Sequence, residues 1–327
     1  MILVTGGAGF IGSNITAALT ERGTAVAVCD RFRQADKWRN LAKIPLRDVV
    51  APEALSPWLD THTAELEAIV HMGAISSTTE PDVDLIMEVN FRLSMQLWRW
   101  CARHGKRFIY ASSAATYGAG EQGFDDDPSL EALAKLRPLN AYGWSKHLFD
   151  RWVARELADG APRPPQWVGL KFFNVYGPNE YHKGGMQSVI AQKYPLVAAG
   201  KALTLFRSYR PDVPDGGQKR DFVYVGDCAS VVSWLLEHQG VNGLFNLGTG
   251  QARTFADLGR ALYAALDQPF EVEYMAMPEV IRPNYQYFTE ASMDRLRQAG
   301  YLRPFTSLAD GVREYVERYL SKPDRFR

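Results

Sequence analysis

The chain has 327 residues, with 37 lysines and arginines against 37 aspartates and glutamates, so its formal net charge is zero. That balance excludes nucleic-acid binding through bulk positive charge and argues against a disordered charged tail. With 46% hydrophobic and 23% charged residues, the composition is that of an ordinary globular protein long enough for about two domains.

The first half alternates short apolar runs with segments of helical period. Ile2–Val4, Ala25–Cys29, Ala68–His71, Arg107–Ala111 and Trp167–Phe173 read as buried strands of a parallel sheet. Between them lie helical stretches such as residues 13–22 and 85–103, the latter with Leu85, Val89, Leu93, Leu97 and Trp100 on one side. Residues 174–220 read as loops with one helix near 188–199 and a Pro/Gly-rich stretch from Arg210. A strand at 221–225 and a helix through Leu236 follow, and 251–327 reads as a smaller α/β lobe ending in an amphipathic helix at 307–320. The expected fold is α/β, a Rossmann-type doubly wound parallel sheet with a smaller α/β substrate-binding lobe. Residues 1–173 and 221–250 are assigned to the nucleotide-binding domain, and 174–220 and 251–327 to the lobe.

Cys29, Cys101 and Cys228 are far apart and show no Cys-x-x-Cys spacing, which argues for a reducing compartment and against disulfides or zinc. No apolar run reaches the roughly 18 residues that span a bilayer. No basic leader precedes Met1-Ile2-Leu3. A cytoplasmic protein without membrane or nucleic-acid partners is therefore expected.

Thr5-Gly6-Gly7-Ala8-Gly9-Phe10-Ile11-Gly12 follows the first strand and opens the first helix, as a dinucleotide-binding turn requires. Asp30 ends the second strand 18 residues past Gly12, where an acid would hold a cofactor ribose. Residues 31–47 carry Arg31, Arg33, Lys37, Arg39, Lys43 and Arg47 against Asp36 alone. Arg31 and Lys37 are the candidates for a 2′-phosphate, which favours NADP and leaves NAD possible. Tyr142 and Lys146 are four residues apart, so on a helix they share a face. An adjacent ammonium favours a tyrosinate base. Ser112-Ser113 lies just past the fourth candidate strand, where a hydroxyl can meet a reacting oxygen.

These motifs together resemble the extended short-chain dehydrogenase/reductase family, which acts largely on nucleotide sugars. The resemblance covers nearly the whole chain. It implies a catalytic Ser113, Tyr142 and Lys146, with Lys146 also holding the nicotinamide ribose. It implies cofactor contacts at Gly6, Gly9, Phe10, Ile11, Gly12, the turn Met72-Gly73-Ala74-Ile75-Ser76, Asn90, Val175 and Lys183 as well. Ser77-Thr-Thr-Glu80, Ala111-Ser-Ser-Ala-Ala-Thr-Tyr-Gly118, His182-Lys-Gly184, Lys219-Arg-Asp-Phe-Val-Tyr-Val-Gly226 and Phe245-Asn-Leu-Gly-Thr-Gly250 resemble the branch acting on an ADP-activated heptose.

That likeness implies inversion of the C6″ carbinol by transient oxidation with bound NADP, with Lys183 either a second base or a phosphate contact. It also implies substrate contacts at Ser113, Asn174, Gly185, Gln192, Phe206, Arg207, Arg220 and Tyr285, and a homo-oligomer, a pentamer on resemblance alone. Gly185 replaces a frequent family serine, Pro52 a lysine near the cofactor, and the loop 207–218 is longer than usual. A UDP-sugar 4-epimerase is the rival enzyme, and a non-catalytic NAD(P) sensor the rival from another class. A dehydratase is disfavoured, because Ser113-Ala114-Ala115 lacks the acidic pair that expels water. The acidic run Glu121, Asp125, Asp126, Asp127, Glu131 is expected to be a solvated loop.

Overall fold

The computed structural model describes residues 1–33, 36–279, 282 and 285–327. Its strands in chain order are β1 (Ile2–Thr5), β2 (Val26–Cys29), β3 (Asp48–Val50), β4 (Ala68–His71), β5 (Arg107–Ser113), β6 (Trp167–Phe172), β7 (Asn174–Tyr176), β8 (Leu203–Phe206), β9 (Lys219–Tyr224), β10 (Gly243–Leu247), β11 (Ala252–Thr254) and β12 (Val272–Met275). Seven of them form one parallel sheet in the order β10-β6-β5-β4-β1-β2-β3. The expected doubly wound α/β sheet is therefore present. Its central strands are buried on both faces, which is why their sequences read as unbroken apolar runs. Separate hydrophobic clusters form on the two sides, one around Ile15, Val231 and Leu235 and the other around Trp98, Phe108 and Phe149.

Strand order reverses between β1 and β4, so the C-terminal strand edge opens there into a crevice. Above it stand a three-stranded sheet, β11-β9-β7, and a two-stranded one, β12-β8. The stretch from Asn174 contains the expected helix, at Val189–Ala198, but where only loops were expected it also holds β7, a short 3-10 segment at Tyr181–Met186 and β8. These strands pair over long sequence separations, which local periodicity does not report. The run expected at 221–225 is β9, at 219–224, and it pairs with β7 and β11 rather than entering the main sheet.

The helix expected over 85–103 is broken by a π turn at Met87–Arg92. That turn carries one extra residue per revolution, so the buried row beyond it runs Ser94, Leu97, Trp98, Cys101 and leaves Trp100 partly buried at the edge of that cluster. The last helix is likewise shorter than expected, Leu308–Tyr315 capped by Ser307, and passes into a π turn at 316–320. The acidic run is not wholly solvated. Asp126 is fully buried, accepts the Asn246 amide at 2.7 Å and faces Arg295 at 3.6 Å, and burial pushes its carboxyl up to about 6. All three cysteines are buried free thiols.

Candidate active site

Gly6 begins the turn after β1 with φ +65°, a conformation that glycine adopts without penalty. A Cβ there would lie 2.6 Å from the Gly73 amide nitrogen, and one at Gly12 only 2.1 Å from the Gly6 carbonyl oxygen. Both approaches bring backbone close enough to line a phosphate cradle. The helix Phe10–Glu21 has no side-chain cap at its N-terminus, so its first amides are left free for an anion. A dinucleotide fits this arrangement.

Asp30, at the end of β2, accepts the Ala8 amide at 2.8 Å, the Arg31 amide at 2.6 Å and the Lys37 ammonium at 2.5 Å. The carboxylate therefore braces the glycine turn and its own basic segment together. Of the two cations singled out for a 2′-phosphate, Lys37 is paired with Asp30 and Arg31 with Glu53 at 2.6 Å. Both line the cleft, as does Arg33.

The helix Ala141–Ala158 starts at Asn140, whose side chain caps the Gly143 amide. Tyr142 and Lys146 follow on one face, against the end of β5. Ser112 and Ser113 divide their roles: Ser112 donates to the buried Asp150 at 2.7 Å, whereas Ser113 accepts the Ala115 amide at 3.1 Å and lines the cleft beside Tyr142. Burial raises the Tyr142 phenol and the Ser113 contact lowers it, with burial the larger effect. The Lys146 ammonium is pulled down to about 8 by burial, opposed by Asp150. Asn90, in the π turn, grips Ile75 through both amide atoms at 2.8 and 3.0 Å and reaches Ser145 at 3.0 Å. It thus ties the Met72–Ser76 turn to the tyrosine helix from behind the cleft wall.

The facing wall comes from the upper sheets. The whole cleft has a volume of about 1390 Å³ and runs from Gly6 and Asp30, past Ser113, Tyr142 and Lys146, to Arg220 and Tyr285. Lys183 enters it beside Phe10, its ammonium 5.2 Å from the ring centroid, and burial lowers its pKa against the opposing effect of Glu180. Asn174, Val175, Gly185, Gln192 and Phe206 line the same cavity. Gln192 donates to the Gly185 carbonyl at 3.1 Å, so the exposed glycine is held by backbone where a serine would offer a hydroxyl. Arg220 is 7% exposed, lies 5.3 Å from the Tyr285 ring and 5.7 Å from Phe255, and donates only to the Lys219 carbonyl. Burial lowers its pKa, and no carboxylate pairs with it among the described residues. Arg207 is the one substrate candidate off the cleft: it is exposed, at the end of the strand pair β12-β8, and its guanidinium rests on the Tyr274 carbonyl.

Sequence reasoning missed the floor beneath the dyad. Asp150 continues the row of Tyr142 and Lys146 one turn further, and Lys171 in β6 meets it at 2.9 Å. The spacing alone carried that signal. His71, expected to pack at a strand end, does so while bridging Thr5 at 2.6 Å and Ser94 at 2.9 Å. Burial holds its pKa down at about 3.

A nicotinamide-binding sheet whose crevice holds a Ser–Tyr–Lys group defines a nucleotide-dependent oxidoreductase-type site. Residues 2–248 match the model of the NAD dependent epimerase/dehydratase family, and the chain belongs to that family and uses a nicotinamide cofactor. Along its whole length, and that of the relative, it is 49% identical to ADP-L-glycero-D-manno-heptose-6-epimerase of Nitratidesulfovibrio vulgaris. The crystal structure of the Helicobacter pylori ADP-L-glycero-D-manno-heptose-6-epimerase superposes with a TM-score of 0.77 at 28% identity, over 97% of this chain and 95% of that one. The Thermus thermophilus UDP-glucose 4-epimerase in complex with NAD gives a TM-score of 0.73 at 28% identity, over 97% of each chain.

Proposed function

We propose that the chain is an NADP-dependent epimerase that inverts the C6″ carbinol of an ADP-activated heptose. The observation that carries the chemistry is that Tyr142, Ser113 and the buried Lys146 line one crevice together with an uncapped glycine turn. Full-length similarity to heptose epimerases supports the choice of sugar.

The nicotinamide, when bound, supplies a reversible hydride acceptor. Tyr142 takes the carbinol proton and returns it, Ser113 orients the reacting oxygen, and Lys146 favours the phenolate and holds the cofactor ribose. Lys183 stands on the other wall, where a second proton carrier or a phosphate contact is needed. Arg220 takes the substrate pyrophosphate, with Tyr285, Phe206, Asn174 and Gln192 around the sugar nucleotide. NADP is assigned on Arg31, Arg33 and Lys37 at the Asp30 end of the cleft, Glu53 being the anion that a 2′-phosphate would replace on Arg31.

In this reading residues 1–173 and 221–250 hold the cofactor, and 174–220 and 251–327 the substrate. Arg220, at the base of the upper sheet, belongs with the latter. The three free thiols agree with a cytoplasmic protein. Among the described residues no helix is long and apolar enough to cross a membrane. Purified protein offered ADP-D-glycero-D-manno-heptose and UDP-glucose separately is expected to epimerise only the first, with NADP released on denaturation. Conversion of the UDP-sugar alone would overturn the proposal in favour of a 4-epimerase, and the mass of the released nucleotide checks the cofactor.

A further inference from the structure

Beneath the catalytic residues lies a closed polar cluster. Asp150 and Lys171 are an ion pair at 2.9 Å whose side chains are 0% and 1% exposed. Asp150 also accepts from Ser112 at 2.7 Å and Tyr110 at 3.2 Å. Lys171 also donates to the Thr116 hydroxyl at 2.6 Å, which in turn donates to the Ser113 carbonyl at 2.8 Å. One pair thus joins the helix carrying Tyr142 and Lys146, the strands β5 and β6, and the turn that follows Ser113. A buried ion pair is a poor device for stability alone, since apolar replacements are often neutral or better.

We propose that Asp150 and Lys171 are a positioning pair for the reaction: they hold the Ser113 strand end against the Tyr142 helix and set the local charge that Lys146 meets. This rests on the Tyr–Lys reading above. Four titratable groups packed around the pair and Lys146 stay neutral near pH 7, and the arginines Arg137 and Arg151 act on the same region through His147. Burial keeps the Tyr110 and Tyr117 phenols protonated, and holds His71 at about 3 and His147 at about 4. Of the pair, the Asp150 carboxylate is the charge that raises the Lys146 pKa, and the Lys171 ammonium neutralises that carboxylate at 2.9 Å. Removing Asp150 takes the attraction away, whereas removing Lys171 leaves it unopposed.

The test is a carbon-13 NMR titration of lysine-labelled, cofactor-free protein, with the Lys146 signal assigned by its loss in Lys146→Met, alongside the pH profile of kcat. Asp150→Asn is expected to move the Lys146 midpoint down by about one pH unit, Lys171→Met to move it up by about as much, and the double variant to return it close to the starting value. The high-pH limb of kcat should follow each shift. Movement of both single variants in the same direction, or an unmoved midpoint in folded variants of wild-type melting temperature, overturns the pair's role. If Asp150→Asn does not fold, Lys171→Met and the charge-balanced double variant decide the question. Midpoints that move as expected while kcat ignores them would fault the Tyr–Lys reading instead.

Discussion

Arg220 offers the sharpest check on substrate binding, because it is a buried guanidinium with two aromatic neighbours and one carbonyl acceptor but no acid. Replacing it with methionine keeps much of the aliphatic stem that packs between Phe255 and Tyr285. No carboxylate is orphaned by the change, so the large penalty of breaking a buried ion pair does not arise. What is lost is a charge-assisted hydrogen bond to the pyrophosphate, worth about 1.5–3 kcal/mol. At about 1.4 kcal/mol per factor of ten, that is roughly a 10- to 150-fold rise in KM. The pyrophosphate does not change during inversion of the sugar, so ground state and transition state lose the same interaction and kcat should hold. Steady-state kinetics with ADP-heptose, together with a thermal melt of the free protein, measure both. An unchanged KM, or a fall in kcat that tracks a lower melting temperature, would show that Arg220 is a packing residue and that the pyrophosphate binds elsewhere.

Tyr142→Phe should reduce turnover by about a hundred- to ten-thousandfold, the contribution of general-base catalysis, while the cofactor stays bound and is recovered on denaturation by mass analysis. Lys183→Met separates its two roles: a collapse of kcat with little change in KM makes it a proton carrier, whereas a raised KM with normal kcat makes it a phosphate contact. The acid limb of stability should be set largely by His71, His147 and His182, whose folded pKa values of about 3, about 4 and about 4 lie below the ordinary 6.5. Between those values the unfolded chain binds more protons than the folded one, so stability is lost as pH falls below about 6.5 and the loss is complete below about 3. Urea midpoints measured from pH 7 to pH 3 check this, and His71→Gln, which retains hydrogen-bonding capacity, should flatten the slope.

The parallel sheet was legible because doubly buried strands carry no polar alternation and because the glycine turn must sit between a strand and a helix. That Tyr142 and Lys146 share a face was legible for a similar reason: they are one helical turn apart whatever the rest of the chain does. Other features depend on partners far away in sequence. Lys171 is a single cation in an apolar strand, and only its contact with Asp150, 21 residues earlier, explains its burial. Asp126 looked solvated because its neighbours Asp125 and Asp127 are acidic too, but the Asn246 amide that holds it is 120 residues away. Arg31 and Lys37, read as candidates for a cofactor phosphate, line the cleft. Their pairing with Glu53 and Asp30 could be seen only once the segments had folded together.

Zero net charge is a sum over two different populations of charged groups. One population is neutralised inside the protein, as Asp150 is by Lys171. The other consists of cations that burial works against and that no described carboxylate pairs with at close range: Lys146, Lys183 and Arg220, each with a lowered pKa. All three line one cleft, spread from the nicotinamide end to the substrate wall. Holding three such cations costs folding free energy, which Asp150 and Glu180 offset in part for Lys146 and Lys183 and an anionic ligand in the same cavity would offset further. Ligand binding should therefore stabilise the fold well beyond what contact area alone implies, and the cations that weaken the free protein are the ones that select a phosphorylated substrate and cofactor.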